Sequence, residues 1–202
     1  MLYTTLALCR KHDACESGYR KLAKHLGGVK ACGKDTLIPL TVVLESNGIE
    51  DAIWSLRATT ENPDRFARLF ACACAERVLA FFEKKHPEDK RPRQAIETAR
   101  MHANGEATVE ELNAAESAAR SAAWSAARYA AGYAAGYDAR SAVGYAARSA
   151  AESAAGSAAE YAAESAAVSA ARVAEREWQT AKFREMLEAK PGLLKGWAGV
   201  TK

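Results

Sequence analysis

The sequence predicts an all-α protein, a multi-helix bundle whose Ala-rich four-residue-repeat helices fold back as a close-packed antiparallel hairpin. Residues 117–172 repeat every four positions with Ala in two places of nearly every unit, and Ala is the best helix former. The first half alternates apolar stripes with Gly, Pro and Asn stops. We expect an N-terminal bundle of short helices at 1–108, repeat helices packed on it at 109–190, and a C-terminal tail at 191–202.

Apolar spacing and local stop signals predict the early helices. The stripe of the first clear helix is formed by Tyr19, Leu22, Ala23 and Leu26. Gly27-Gly28 ends that helix. A second helix is expected to begin at Pro39 and to end at Asn47-Gly48, although residues 36–44 also permit a strand. A third apolar segment covers 49–58.

The later helices have recognisable starts and ends. Asn62-Pro63-Asp64 begins the most apolar helix of the chain, and His86-Pro87 ends it. Pro92 is expected at the first position of the next helix, which ends at Asn104-Gly105. The run Thr108-Val109-Glu110-Glu111 is a capping box, so a helix opens there and leads into the repeat.

The geometry and charges of the four-residue repeat predict that it turns back on itself near residue 140. Each unit advances about 40° around a helix of 3.6 residues per turn, so no single face stays buried. One straight helix of this length would run about 84 Å, well beyond the size of a globule built from this chain. Arg128 and Glu152 are symmetric about residue 140, where glycines gather, and a hairpin there would bring them together. Gly156-Ser157 offers a second break.

Composition excludes several classes of protein. With 47 alanines, 5 prolines and a net charge of +3, the chain is neither collagen nor a disordered charged tail. No stretch approaches the roughly 18 uncharged apolar residues of a membrane span, and the first basic residues follow the apolar N-terminal run instead of preceding it as in a secretory signal. Five irregularly spaced cysteines indicate free thiols in the cytoplasm.

Motifs for metal binding and catalysis are missing. The N-terminal metal-ligand types are Cys9, His12, Cys15, His25 and Cys32. They lack the paired C-x-x-C of recognisable zinc sites, so we expect idle thiols, no metal and no cofactor. A zinc site formed by these residues is the alternative that the sequence leaves open. The chain contains no nucleotide-binding Gly loop, no H-E-x-x-H and no G-x-S-x-G, so we expect no catalytic residue and no enzyme.

Two segments are strongly basic. Residues 1–34 hold seven Lys or Arg against two acids, and residues 84–93 hold five against two. Such segments are either solvated helix faces or binding sites for an anionic partner. The tyrosines of the repeat are either core residues or a row of contacts for a partner. The candidate partner-binding residues are Arg20, Lys21, Lys24, Lys84, Lys85, Lys90, Arg91, Arg93, Tyr129, Tyr133 and Tyr137.

Four segments resemble a family of immunity proteins found in bacterial and phage genomes. These segments are 14–28, 33–58, 68–100 and the stretch from 104 onward, where Ala-rich units follow NGEATVEEL. The most distinctive order is an aromatic helix, the turn H-P-E-D-K-R-P-R and the helix A-I-E-T-A-R. The resemblance supplies no catalytic residue.

The resemblance implies a non-enzymatic binding protein that neutralises a protein partner by occlusion. That partner would be a protein toxin or, for a phage-encoded anti-defence inhibitor, a host defence effector. The alternative is a sponge that sequesters a nucleotide-like signal between helices. Nucleic acid is disfavoured as a partner, and a homo-oligomer is left open.

Overall fold

The computed structural model describes residues 1–85, 87–122 and 166–189, which form a helical bundle with one very small sheet. This confirms the predicted all-α class. In chain order the described elements are β1 (Tyr3–Thr4), α1 (Leu6–Lys11), α2 (Glu16–His25), α3 (Val29–Cys32), β2 (Ile38–Pro39), α4 (Leu40–Asn47), α5 (Ile49–Ser55), a 3₁₀ turn (Leu56–Ala58), α6 (Asp64–Lys85), α7 (Arg91–Ala103), α8 (Val109–Ala122) and α9 (Ala166–Glu188).

The small sheet holds the N-terminus against the bundle. β1 and β2 are antiparallel, with Thr4 opposite Ile38. The buried Thr4 hydroxyl donates to the carbonyl oxygen of Ala58 at 2.6 Å. Of residues 36–44, which the sequence left open between helix and strand, 38–39 form β2 and 40–44 belong to α4. A two-residue strand is too short to show a period of two, so β1 had no sequence signal.

Local signals end and begin the helices as predicted. Gly48 after α4 and Gly105 beyond α7 have φ angles of 100° and 77°, in the left-handed region that favours glycine. The capping box is formed, because Glu111 N donates to Thr108 Oγ1 at 3.2 Å and Thr108 N donates to Glu111 Oε2 at 2.7 Å.

Two helix starts differ by a residue from the prediction. α4 begins at Leu40 and not at Pro39, which is its N-cap and the last residue of β2. α7 begins at Arg91, so Pro92 is its second residue and not its first. Both positions tolerate proline, because the first backbone N–H groups of a helix have no intrahelical acceptor.

α6 lies at the centre of the core. It packs against α7 and α9, and α9 also packs against α4 and α5. Phe183 of α9 meets Phe66 and Phe70 of α6 edge to face, at ring-centroid distances of 5.0 and 5.1 Å. Phe70 and Phe183 are completely buried, so α9 is part of the same core as the N-terminal helices.

Most of the four-residue repeat lies outside the described residues. At its two ends the backbone is helical, in α8 up to Ala122 and in α9 from Ala166, as the alanine content predicts. The hairpin about residue 140 and the tail at 191–202 fall outside the described ranges. They stay predictions, as does the division of the chain into three parts.

Candidate functional site

α2 presents its basic residues to solvent. Arg20, Lys21 and Lys24 are exposed, whereas Leu22 and Ala23 are buried. At 100° per residue the three cations share one side of the helix and the two apolar residues share the other. The helix therefore carries a basic outer face, here called the α2 basic face.

The three cations of the α2 basic face differ in the hydrogen bonds and ion pairs that they already make. Arg20 Nε donates to Glu16 Oε1 at 2.6 Å, and Arg10 binds the other oxygen of Glu16 at the same distance. Hydrogen bonds from Arg10 and then Arg20 lower the pKa of the Glu16 carboxyl. Lys21 Nζ reaches the carbonyl oxygen of Asn47 at 3.4 Å. Lys24 has no ion pair within the described ranges, so it is the most available of the three to a partner.

In the second basic segment the arginines are held by carboxylates. Arg93 donates through Nε and Nη2 to the two oxygens of Glu83, both at 2.6 Å. This bidentate contact lowers the pKa of Glu83 and raises that of Arg93. Arg91 binds Asp89 in the same way at 2.9 and 2.8 Å. Both guanidinium charges are therefore largely compensated, by Asp89 inside the segment and by Glu83 directly before it.

The two basic segments lie on helices that are not main packing partners of each other. Lys84 and Lys90 are exposed, and the side chain of Lys85 lies outside what the structure describes. The main packing partners of α2 are α1, α3 and α4, whereas those of α7 are α6 and α8. The candidate residues Tyr129, Tyr133 and Tyr137 also lie outside the described ranges.

The cysteines are not arranged around a metal. In the described parts of the chain, no group of three or more His, Cys, Asp or Glu residues could hold an ion. All five thiols are free. Burial raises the pKa of the Cys72 thiol to about 12 and also raises that of Cys74, as expected for small core residues.

A cavity that the sequence analysis missed lies among α1, α2, α4 and α5. Its volume is about 240 Å³. The side chains that matter for its chemistry are Cys9, Asp13, Tyr19, Asn47, Asp51 and Trp54. They come from separate segments, so sequence spacing could not reveal them. We call this space the N-terminal cavity.

Asn47 and Gly18 shape the N-terminal cavity. Asn47 Nδ2 donates to Asp51 Oδ2 at 2.7 Å and to the carbonyl oxygen of Gly18 at 2.9 Å. A Cβ on Gly18 would lie 2.8 Å from Asp51 Oδ2 and 3.1 Å from Cys15 Sγ. Glycine inside a helix is unfavourable unless a close approach requires it, so Gly18 was the available sequence signal for this site.

The comparisons with known proteins identify a family. No curated protein and no solved structure matches the chain. None of the helices in the described ranges has the length and apolar character needed to cross a membrane. The model of one family, described as "Imm-5 like putative immunity protein", matches residues 57–186. The match includes the distinctive segment at 68–100, whereas the N-terminal cavity and the α2 basic face lie before it. Because the match spans more than half of its length, the chain belongs to the Imm-5 like immunity protein family.

Proposed function

We propose that the chain is a non-enzymatic binding protein that neutralises a partner protein by occlusion. The partner is a protein toxin or, in a phage-encoded setting, a host defence effector. The observation that carries the proposal is the match of residues 57–186 to the immunity protein family. Occlusion requires a preformed surface and exposed groups that complement the partner, and it requires no reacting group of the protein's own.

Packing within the matched region supports a preformed surface. Arg100 of α7 binds Glu76 of α6 at 2.6 Å, with both side chains largely buried. The aromatic cluster around Phe183 fastens α9 to the same helix. A partner can therefore meet α6, α7 and α9 without first ordering them, which lowers the entropic cost of association.

The exposed charges favour an acidic partner that contacts the α2 basic face. Lys21 and Lys24 are exposed there, and the other exposed lysines of the N-terminal segment are Lys11, Lys30 and Lys34. In the second basic segment Arg91 and Arg93 already have carboxylate partners. Counted with these lysines, the N-terminal segment has five exposed lysines, against Lys84 and Lys90 among the described residues of the second segment, so it has more charge to steer an acidic surface.

The N-terminal cavity gives no support to the alternative of a nucleotide sponge. Its lining contains Asp13 and Asp51 and no lysine or arginine. Phosphate groups would face two carboxylates there. A nucleotide that raised the melting temperature in differential scanning fluorimetry would nevertheless favour the sponge over occlusion.

We also place the protein in the cytoplasm. All five cysteines are free, including the exposed Cys15. Free thiols persist in reducing compartments.

Charge reversal on α2 tests the proposal. The full chain is co-expressed with the products of its genomic neighbours, and a stoichiometric complex is isolated by size-exclusion chromatography. The double variant Lys21→Glu, Lys24→Glu should bind the partner more weakly, by about 1–3 kcal/mol for each close ion pair lost, with part of the loss in the association rate.

The matched control reverses two exposed lysines of the other segment, Lys84→Glu and Lys90→Glu. It should leave the affinity unchanged. Loss of affinity in the control alone would place the contact on residues 84–93. Failure of every neighbouring gene product to form a stoichiometric complex would contradict occlusion itself.

A further inference from the structure

We propose that the N-terminal cavity binds one organic cation: the ammonium or guanidinium end of a flexible chain about the size of a lysine or arginine side chain. The inference stands on the chemistry of the cavity walls. It does not depend on the proposed function.

The carboxylates of the cavity, Asp13 and Asp51, are not neutralised by any residue in the described part of the chain. Within the described ranges, neither Asp13 nor Asp51 has an ion-pair partner. Asn47 donates to Asp51 Oδ2, and Oδ1 accepts no hydrogen bond from any described residue. The nearby Arg10 is already bound to Glu16 at 2.6 Å and is not part of the lining. A cation inside the cavity would therefore meet carboxylate oxygens, and the lining contains no lysine or arginine.

Two aromatic rings suit the same ligand. Tyr19 and Trp54 both line the cavity. Each ring already has a guanidinium over it, with Arg10 lying 3.7 Å from the Tyr19 centroid and Arg57 lying 5.4 Å from the Trp54 centroid. Each ring therefore already has one cation of the chain beside it, and for the ligand the two rings supply flat apolar wall next to the carboxylates. Leu22 and Val43 add aliphatic wall for the stem of the ligand.

The volume limits the size of the ligand. About 240 Å³ is below the roughly 300–1,000 Å³ of pockets that enclose drug-sized molecules. An ammonium on a stem of about four carbons, which is the lysine side chain, is of the right scale. Such a group could belong to a free amine or to a side chain of a protein partner, and both share the chemistry that the walls select.

The test is an NMR titration of the full chain with n-butylammonium chloride, following the backbone amides of Gly18 and Asn47. We expect saturable shifts with the ammonium and none with 1-butanol, its neutral counterpart of similar size. Butyrate, the anionic counterpart, should not bind because it would face the carboxylates. Equal shifts with butylammonium and butanol would overturn the proposal.

Two isosteric variants test the charges. Asp51→Asn preserves the volume and an acceptor for Asn47, and it should weaken butylammonium binding about tenfold. Asp13→Asn should also weaken binding. The φ angle of Asp13, 59°, lies in the left-handed region, which asparagine readily adopts. Asp35→Asn is the matched control, because Asp35 is exposed and outside the lining. Wild-type affinity in both cavity variants would overturn the proposal.

Circular dichroism spectra separate loss of binding from loss of folding. If Asp51→Asn fails to fold, Asp13→Asn at its exposed turn carries the test.

A short peptide with one lysine, capped at both ends, then distinguishes the two sources. Tighter binding of the peptide than of butylammonium assigns the site to a partner's side chain, and the reverse assigns it to a free amine. Failure to capture a toxin would leave these outcomes unaffected, so the two proposals fail separately.

Discussion

Arg77 of α6 donates through Nε to Glu175 of α9 at 2.5 Å, although 98 positions separate the two residues in the sequence. Glu175 is buried, and its other carboxylate oxygen accepts from Gln179 Nε2 at 3.3 Å. The Arg77 guanidinium also lies 4.6 Å from the Trp178 ring centroid. This polar contact therefore joins the two ends of the family-matched region and orients α9 on α6.

Removing the buried carboxylate should destabilise the protein. Glu175→Ala removes the carboxylate that Arg77 and Gln179 bind. The free energy of unfolding should fall by about 1–3 kcal/mol, less than the roughly 3–5 kcal/mol for breaking a fully buried ion pair. The smaller figure is expected because the Arg77 side chain is 39% exposed and water can solvate it. Urea unfolding monitored by circular dichroism measures the change.

The matched control for this carboxylate is Glu185→Ala on the same helix. Glu185 binds Lys182 at the surface, where its side chain is 58% exposed. The loss of stability should stay within about 0.5 kcal/mol. Equal losses in the two variants would show that the Glu175 contact does not fasten α9.

The aromatic cluster should contribute more stability than this ion pair. Phe183→Ala removes a completely buried ring and should lower the free energy of unfolding by about 3–5 kcal/mol. Phe183→Leu keeps apolar contact and loses the edge-to-face pairs, each worth about 0.5–1.5 kcal/mol beyond burial. Chemical denaturation of both variants should therefore rank Ala below Leu and Leu below wild type. Any other order would argue against α9 as a core helix.

Local signals predicted the helices better than they predicted contacts. Gly48, Gly105 and the Thr108 capping box act within a few residues, so the sequence shows them directly. β1 forms only because it pairs with Ile38–Pro39. α9 is held in place by contacts of Phe183 with Phe66 and Phe70, which are more than 100 positions away in the sequence. Such pairings arise from packing, which no local pattern encodes.

The same division holds for the candidate sites. The exposure of Lys21 and Lys24 followed from the apolar stripe of their own helix. By contrast, Arg91 and Arg93 proved to be held by Asp89 and Glu83, and charge counting alone cannot show such pairing. The N-terminal cavity was missed because its carboxylates come from different helices and turns.

The pair of Arg93 and Glu83 should make stability depend on acid. The hydrogen bonds from Arg93 hold the pKa of the Glu83 carboxyl below its ordinary value of 4.5. The stabilisation is therefore fully present above that value and is lost as the pH falls through the lowered pKa. Wild type should be more stable than Glu83→Gln near neutral pH, and the difference should shrink as the pH falls below 4.5 and through the lowered pKa of Glu83.

Urea unfolding at several pH values measures the shrinking difference. Glu88→Gln, an exposed residue of the neighbouring turn with no ion pair in the described ranges, is the control and should differ little from wild type throughout. A difference between wild type and Glu83→Gln that stays constant from neutral to acid pH would contradict the role of the Arg93 contact.

The thiols should react in an order set by exposure and pKa. Cys15 is exposed, whereas Cys72 is completely buried with its pKa raised to about 12. At pH 8 only about one Cys72 thiol in 10⁴ would be ionised, and the thiolate is the reactive form. Iodoacetamide should therefore modify Cys15 in the native protein and reach Cys72 and Cys74 only after unfolding. Timed labelling followed by peptide mass spectrometry measures the order. In 8 M urea, the control, all five thiols should react. Native labelling of Cys72 as fast as Cys15 would mean that α6 opens far more often than its buried core contacts allow.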